Sequence, residues 1–300
     1  MIERRAHLDS RAVTLLLGCC LLWGLQQIVV KVTLPLMPPI AQAGLRSGIA
    51  ALWLWAWASW RGIALFSRDG TWWPGLLAGS LFAAEFVCIY IGLGHTAASR
   101  LVVLLYLSPF VVAAGMPFIS AAERLSMRQV AGLGLGFAAV ALAFSEGFSG
   151  AAAPAGSTQW LGDALAMLAA LLWGATTLAI RATRLSTAAP EKTLFYQLAV
   201  SGVALMALSP LAGESWAWAW SSPMLWGSML FQAVVVAFAS YLVWFWLMRH
   251  YPATRLASFT FLTPLFGLLM GWLLLGEAIT LRLALALVGV ALGIWLVNRR

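Results

Sequence analysis

Polar residues enter this chain in short clusters. Between the clusters run apolar stretches of about twenty residues, the length a helix needs to cross a hydrocarbon core of roughly 30 Å. Ten stretches are predicted as transmembrane helices: 12–32, 40–60, 73–93, 98–119, 128–146, 161–181, 192–211, 223–247, 254–275 and 281–297. Pro35, Pro38 and Pro39 mark the turn between the first two. The longest connection, 147–160 (GFSGAAAPAGSTQW), is rich in small residues and joins the two halves. The expected fold class is an all-α membrane protein with no room for a soluble domain.

The pattern is written twice. Residues 95–109 read HTAASRLVVLLYLSP and residues 250–264 read HYPATRLASFTFLTP, a constant offset that pairs His95 with His250, Arg100 with Arg255 and Pro109 with Pro264. Leu22-Trp23-Gly24 returns as Leu172-Trp173-Gly174, Ser47-Gly48 as Ser201-Gly202, and Glu123 with Arg128 as Glu277 with Arg282. Self-similarity over half the chain means two copies of one structural unit: residues 1–146, the loop 147–160, and residues 161–300. Five spans per copy is an odd number, so the second copy enters the membrane upside down. An inverted repeat of this kind is the architecture of secondary transporters, whose site lies near the midplane between the repeats.

Composition and charge sharpen this. With 62% hydrophobic residues and 9% charged, too little polar surface exists to cover a water-facing globule. The net charge of +8 is not gathered into a patch, so a nucleic-acid partner is not expected; a lipid bilayer is. With the N-terminus inside, fourteen Lys and Arg residues face inward and three (Lys31, Arg100, Arg282) outward. Arg46 stays within a span, which completes the eighteen. Both termini are therefore expected in the cytoplasm, and the protein in a bacterial inner membrane as a multi-pass chain. Trp216, Trp218 and Trp220 fit an outer aromatic belt. The apolar run after Arg11 is too long for a cleaved signal peptide and reads as a retained helix. Cys19, Cys20 and Cys88 lie in apolar runs without ligand spacing, so neither disulfide nor metal is expected.

Several of these residues resemble the drug/metabolite transporter superfamily: Leu22-Trp23-Gly24, Arg46, Ser108-Pro109, Thr263-Pro264, and the pair Glu123-Arg-Leu-Ser and Glu277-Ala-Ile-Thr. More narrowly the chain is similar to its ten-helix EamA-type exporters, over nearly its whole length. The resemblance implies export of small metabolites, amino acids of aromatic or other hydrophobic type first, with purines and cationic compounds as the alternative cargo.

The residues weigh the chemistry independently. An ionisable group at membrane depth is costly unless paired or hydrated, and Glu85 and Arg46 are such groups, at one level by their distance from their span ends. They form either a structural pair or a pair that also meets substrate. Polar residues at depth on other spans, Gln26, Gln27, Gln42, Tyr196, Gln197, Gln232 and Ser240, fit helix–helix hydrogen bonds one by one and a shared cavity together. Tyr241 and Trp244 share a helix face. Trp23, Tyr90, Tyr106, Trp173 and Phe259 could add an aromatic wall, whereas Trp53, Trp57 and Trp60 form a lipid-facing stripe. Pro109 and Pro264 interrupt the same span of each half, as static kinks or moving hinges. Gly132-x-x-x-Gly136 and Gly289-x-x-x-Gly293 allow close packing within a monomer, with a dimer as the alternative. Ser126, with Gln129, and Thr280 are expected as helix N-caps, and Glu123 and Glu277 as interfacial structure.

A membrane-embedded enzyme needs a nucleophile with a base, a metal site or paired carboxylates; within the spans Glu85 stands alone, and His7, His95 and His250 lie at span ends. No GxxxxGK[ST] is present, so ATP hydrolysis by this chain is excluded, and no cofactor is called for. A channel usually needs a charged or carbonyl ring built by oligomer symmetry. The expectation is a secondary transporter working by alternating access, with one cation, one anion and an aromatic wall suited to a zwitterion such as an amino acid.

Overall fold

The computed structural model describes residues 9–119, 126–145, 158–251, 260 and 262–298. All regular structure among them is helical. In chain order the helices are α1 (Ser10–Thr33), α2 (Pro39–Trp60), α3 (Trp72–Leu93), α4 (Ala98–Leu105), α5 (Ser108–Ile119), α6 (Met127–Ser145), α7 (Gln159–Ala182) and α8 (Pro190–Leu211). There follow α9 (Pro223–Leu230), a π-helical segment (Phe231–Ser240), α10 (Tyr241–His250), α11 (Leu262–Leu275) and α12 (Leu281–Asn298). Six of the helical runs, among them α4–α5 and α9 through Trp244 each taken as one, are long and apolar enough to cross a membrane. α6, α11 and α12 supply shorter apolar stretches. α2 matches the others in length but carries Gln42, Arg46 and four tryptophans, Trp53, Trp55, Trp57 and Trp60. The expected residues Glu123, Arg255 and Phe259, and most of the loop 147–160, lie outside the described residues.

Local chemistry sets the helix starts. The Asp9 side chain accepts from the Ala12 N–H at 2.8 Å and caps α1. Proline opens α2 and α8 at the first turn, where its missing N–H costs nothing. Ser126 and Gln129 form the expected reciprocal box, Ser126 N–H to Gln129 Oε1 at 2.8 Å and Gln129 N–H to Ser126 Oγ at 3.3 Å. Thr280 Oγ1 accepts from the Leu283 N–H at 3.2 Å at the start of α12.

Small residues decide where helices cross. A Cβ on Gly24 of α1 would meet Gly267 N at 2.8 Å and Thr263 O at 3.1 Å on α11. Its counterpart Gly174 on α7 meets Val111 at 2.6 Å and Ser108 O at 3.5 Å on α5. The repeated LWG and Ser/Thr-Pro motifs thus make the same contact twice, each across the two halves. Gly202 on α8 lies against the backbone of Gly48 on α2, within 2.9 Å of its added Cβ. The two GxxxG motifs face one another inside the chain: a Cβ on Gly293 would meet Gly132 O at 2.8 Å and Gly136 N at 3.1 Å, and one on Gly289 would meet Ala139 at 2.7 Å. Backbones this close gain dispersion contacts that larger side chains would block.

The span 98–119 breaks just ahead of Pro109. α4 ends at Leu105, Tyr106 bonds back to Val103 O at 3.2 Å, and α5 restarts at Ser108, with Pro109 as its second residue. The proline ring leaves Leu105 O without its usual donor and disfavours helical backbone before it, so the interruption falls upstream of the proline. Pro264 is the third residue of α11. The tryptophan stripe of α2 is half as expected: Trp53 and Trp60 are exposed, but Trp57 packs on the core. In the Trp216–Trp220 loop, Trp218 is buried against Met37, Ala41, Leu225 and Met229, while its neighbours are exposed.

Candidate functional site

At the centre of the bundle α2 presents Arg46, 0% exposed. Its guanidinium lies 4.2 Å from the centroid of Phe86 on α3 and 6.0 Å from that of Tyr241 on α10. Nη2 donates to the Tyr241 hydroxyl at 3.2 Å, and Nε and Nη1 have no protein partner. Glu85, one residue before Phe86, is buried with Oε2 unpartnered. No ion pair between Arg46 and Glu85 closes within 4.0 Å; the guanidinium lies over Phe86 instead, whose ring is 6.0 Å from that of Tyr90. The expected Arg46–Glu85 pair is therefore a pair at one level, not a salt bridge.

Around these two lie further buried polar groups. Gln42, one turn from Arg46, donates weakly to Val30 O at 3.4 Å and leaves Oε1 free; Ser47 Oγ is also free. Tyr90 on α3 donates to Gln232 Oε1 on the π segment at 2.8 Å, with Gln232 Nε2 unpartnered. On α1, Trp23 Nε1 donates to Ser240 Oγ at 2.9 Å, and its ring meets Tyr241 and Trp244 edge-on at 6.3 and 5.5 Å. Gln26 is buried on the same helix. A cation lined by aromatic faces, with unpartnered polar atoms on α2, α3 and the π segment, offers the donors that an oxyanion would satisfy.

Other expected site residues lie elsewhere. Tyr106 donates to Thr260 O and meets Trp173 edge-on at 6.3 Å, a contact of α4–α5 with α7 in which Trp173 is 38% exposed. Tyr196 packs over Gly75 and reaches Thr71 Oγ1 at 3.2 Å, at the end of the bundle that holds the α2–α3 loop. Gln197 beside it is half-buried, and its side chain makes no hydrogen bond among the described residues. An apolar groove of about 490 Å³ between α3, α7 and α8, lined by Ala83, Val87, Leu168, Leu172 and Leu205, includes neither Arg46 nor Glu85.

Each end of the bundle carries a clasp between the halves. At one, Glu277 accepts from the Ala98 and Ser99 N–H groups at 2.8 and 2.9 Å, from Ser99 Oγ at 2.6 Å and from Lys31 at 3.2 Å. Burial pushes the Glu277 carboxyl up, but these bonds and Lys31 outweigh it and hold the group below the usual range. The α4 N-terminus is therefore held by a carboxylate from the other half. At the opposite end Lys192 donates to Ser67 O, Ser67 Oγ and Asp69 Oδ2 at 2.8, 2.9 and 2.7 Å. That bond and those from Thr71 hold Asp69 well below the ordinary carboxylate range.

Glu85 is not the lone acid of the spans. Asp163 on α7 is fully buried and binds Arg100 of α4 through both oxygens, Nε at 2.8 Å to each and Nη2 at 2.7 Å to Oδ2. Thr96 Oγ1 adds a bond at 2.8 Å, and Arg100 Nη2 also donates to Ala143 O. The signal for Asp163 was present, an acid at the start of an apolar run in a chain whose Arg100 had no assigned partner. The Tyr90–Gln232 link had none, because a π-helix leaves no mark in hydropathy.

Comparison with known proteins follows the geometry. The model of the EamA-like transporter family matches residues 10–145 and again 160–299. The chain is similar to the uncharacterized transporter YvbV of Bacillus subtilis, 29% identical over 296 residues that span 97% of this chain and 92% of that one. It is also similar to a WAT1-related chloroplastic protein of Arabidopsis thaliana, 27% identical over 306 residues, 95% of this chain and 69% of that one. A solved crystal structure shares the fold at a TM-score of 0.66 and 22% identity, covering 97% of this chain and 99% of its own. Matched by the family model in both halves, this chain belongs to the EamA-like transporter family.

Proposed function

We propose that the protein is a secondary transporter that exports amino acids, aromatic or other hydrophobic ones first, by alternating access. In this reading ten helices cross the bacterial inner membrane as two inverted five-helix repeats with both termini cytoplasmic, and the substrate sits between the repeats. The observation that carries it is Arg46, wholly buried with two guanidinium nitrogens unpartnered. A buried charge costs several kcal/mol unless compensated, and a substrate carboxylate compensates it where Phe86 and Tyr241 leave the nitrogens open. Glu85 Oε2 would take the ammonium. The Glu277–Lys31 and Asp69–Lys192 clasps each join the halves at one end, so opening one at a time exposes the site to one side at a time. The resemblance of the quoted motifs to EamA-type exporters implies amino acids first among the cargoes. Glu85, buried with Oε2 unpartnered, favours cationic compounds as the second reading.

Counterflow in proteoliposomes, screening amino acids, purines and cationic dyes, tests this. Amino acids should drive exchange in the wild type and fail in Arg46→Gln, while the variant remains folded by its melting curve. Exchange of dyes but not of amino acids would establish the second reading instead.

A further inference from the structure

In the proposed substrate site the two ends of the Gln232 amide are treated differently. Gln232 is 0% exposed, and its Oε1 accepts the Tyr90 hydroxyl at 2.8 Å while its Nε2 has no protein partner. Tyr90 is also fully buried, and its ring lies 6.0 Å from that of Phe86, the ring on which Arg46 stacks at 4.2 Å. The amide is thereby held by one end, with its donor end left over, on a segment that packs against α2 and is linked to Arg46 through Tyr90 and Phe86. A buried amide N–H without an acceptor is destabilising, and natural interiors rarely retain one without a use. Its backbone is unusual as well: residues 231–240 are π-helical, a conformation that widens the turn and recurs at functional sites.

We infer that Gln232, held by Tyr90, is a specificity-determining residue of the substrate site: its free amide N–H receives an oxygen of the substrate's carboxylate beside Arg46. The inference rests on the amino-acid reading and extends it. Arg46 supplies charge without fixed selectivity, since stacking on Phe86 and Tyr241 suits many groups. Gln232 adds a directional donor that only a substrate with an acceptor oxygen at that place can satisfy. Sites built around buried hydrogen-bonding groups reject analogues that lack the matching group, because the protein group is then left unpaired. The repeat supports a dedicated role, since α3 brings Glu85 and Tyr90 to the site from one half and the π segment brings Gln232 from the other.

The test uses the full chain in proteoliposomes, with labelled L-phenylalanine counterflow competed by unlabelled L-phenylalanine or by 2-phenylethylamine, which lacks the carboxylate. In Gln232→Met, which keeps volume and removes the donor, the inhibition constant of phenylalanine should rise about ten-fold while that of the amine stays within about two-fold. Tyr90→Phe frees the amide to turn and should shift the ratio in the same direction by less. If Gln232→Met does not reach the membrane, Tyr90→Phe, a change of one oxygen, decides alone. Equal changes for both compounds, or none, would overturn the role of Gln232 while leaving the amino-acid reading intact. Absence of phenylalanine counterflow in the wild type would overturn both.

Discussion

Two arginines are buried among the described residues, and they are buried in opposite ways. Arg100 is enclosed by Asp163, bonded through both carboxylate oxygens, with Thr96 and the Ala143 carbonyl completing the network. Arg46 has one hydroxyl, two aromatic faces and two nitrogens with no protein partner. The first arrangement is complete without a ligand and joins α4 of one half to α7 of the other. The second is incomplete and becomes satisfied only by something added. Burial and charge are alike at the two positions; partner count separates a brace from a receptor.

The comparison is broken most directly at the brace. Asp163→Asn should destabilise the protein by about 3–5 kcal/mol, because Arg100 is left charged and buried; thermal unfolding in detergent reads it. Replacing both residues with apolar ones of similar volume should restore most of that loss. A small effect of Asp163→Asn would place Arg100 with Arg46 and remove the distinction.

An intermediate effect is expected at the clasp beside the brace. Glu277→Gln keeps shape but loses the charge that receives Lys31 and the α4 N-terminus, at a cost of about 1–2 kcal/mol. The folded Glu277 lies below its ordinary value of 4.5. Its contribution is therefore present above about that pH and lost as pH falls through the folded value. Stability against pH should be flatter on the acid side in Glu277→Gln than in the wild type; parallel curves would show that the clasp is not held by charge.

The smallest change in stability is expected at the receptor. Arg46→Gln gives up a cation–π contact of about 2 kcal/mol with Phe86 and relieves a desolvation cost of similar or larger size. The net change should stay within about 1 kcal/mol, with transport lost. A melting temperature that fell as far as in Asp163→Asn would make Arg46 a brace too.

Much of this was legible in the amino-acid order because the membrane imposes a simple code. Helix length follows from bilayer thickness, and a repeat survives as matched motifs; the caps at Ser126 and Thr280 and the facing GxxxG pairs could be read from neighbours a few residues apart. The level of Arg46 and Glu85 was legible for the same reason, since depth is a count of residues from a helix end. What a side chain meets across the bundle is not such a count. Tyr196 was expected in the cavity by its position within a span, yet it turns to Thr71 and Gly75 because α8 crosses α3 there.

The sequence alone therefore determined that this is an all-helical membrane chain built from one motif set used twice, with a charge of each sign at depth on neighbouring helices. Only the tertiary structure decided that Arg46 stacks on Phe86 rather than closing on Glu85, that Arg100 finds Asp163, and that Gln232 is held by Tyr90. Hydrophobic pattern is a property of a residue and its near neighbours along one helix. Hydrogen-bond satisfaction depends on rotation and crossing of separate helices, which side-chain packing at glycines such as Gly24, Gly48 and Gly202 sets within tenths of an ångström.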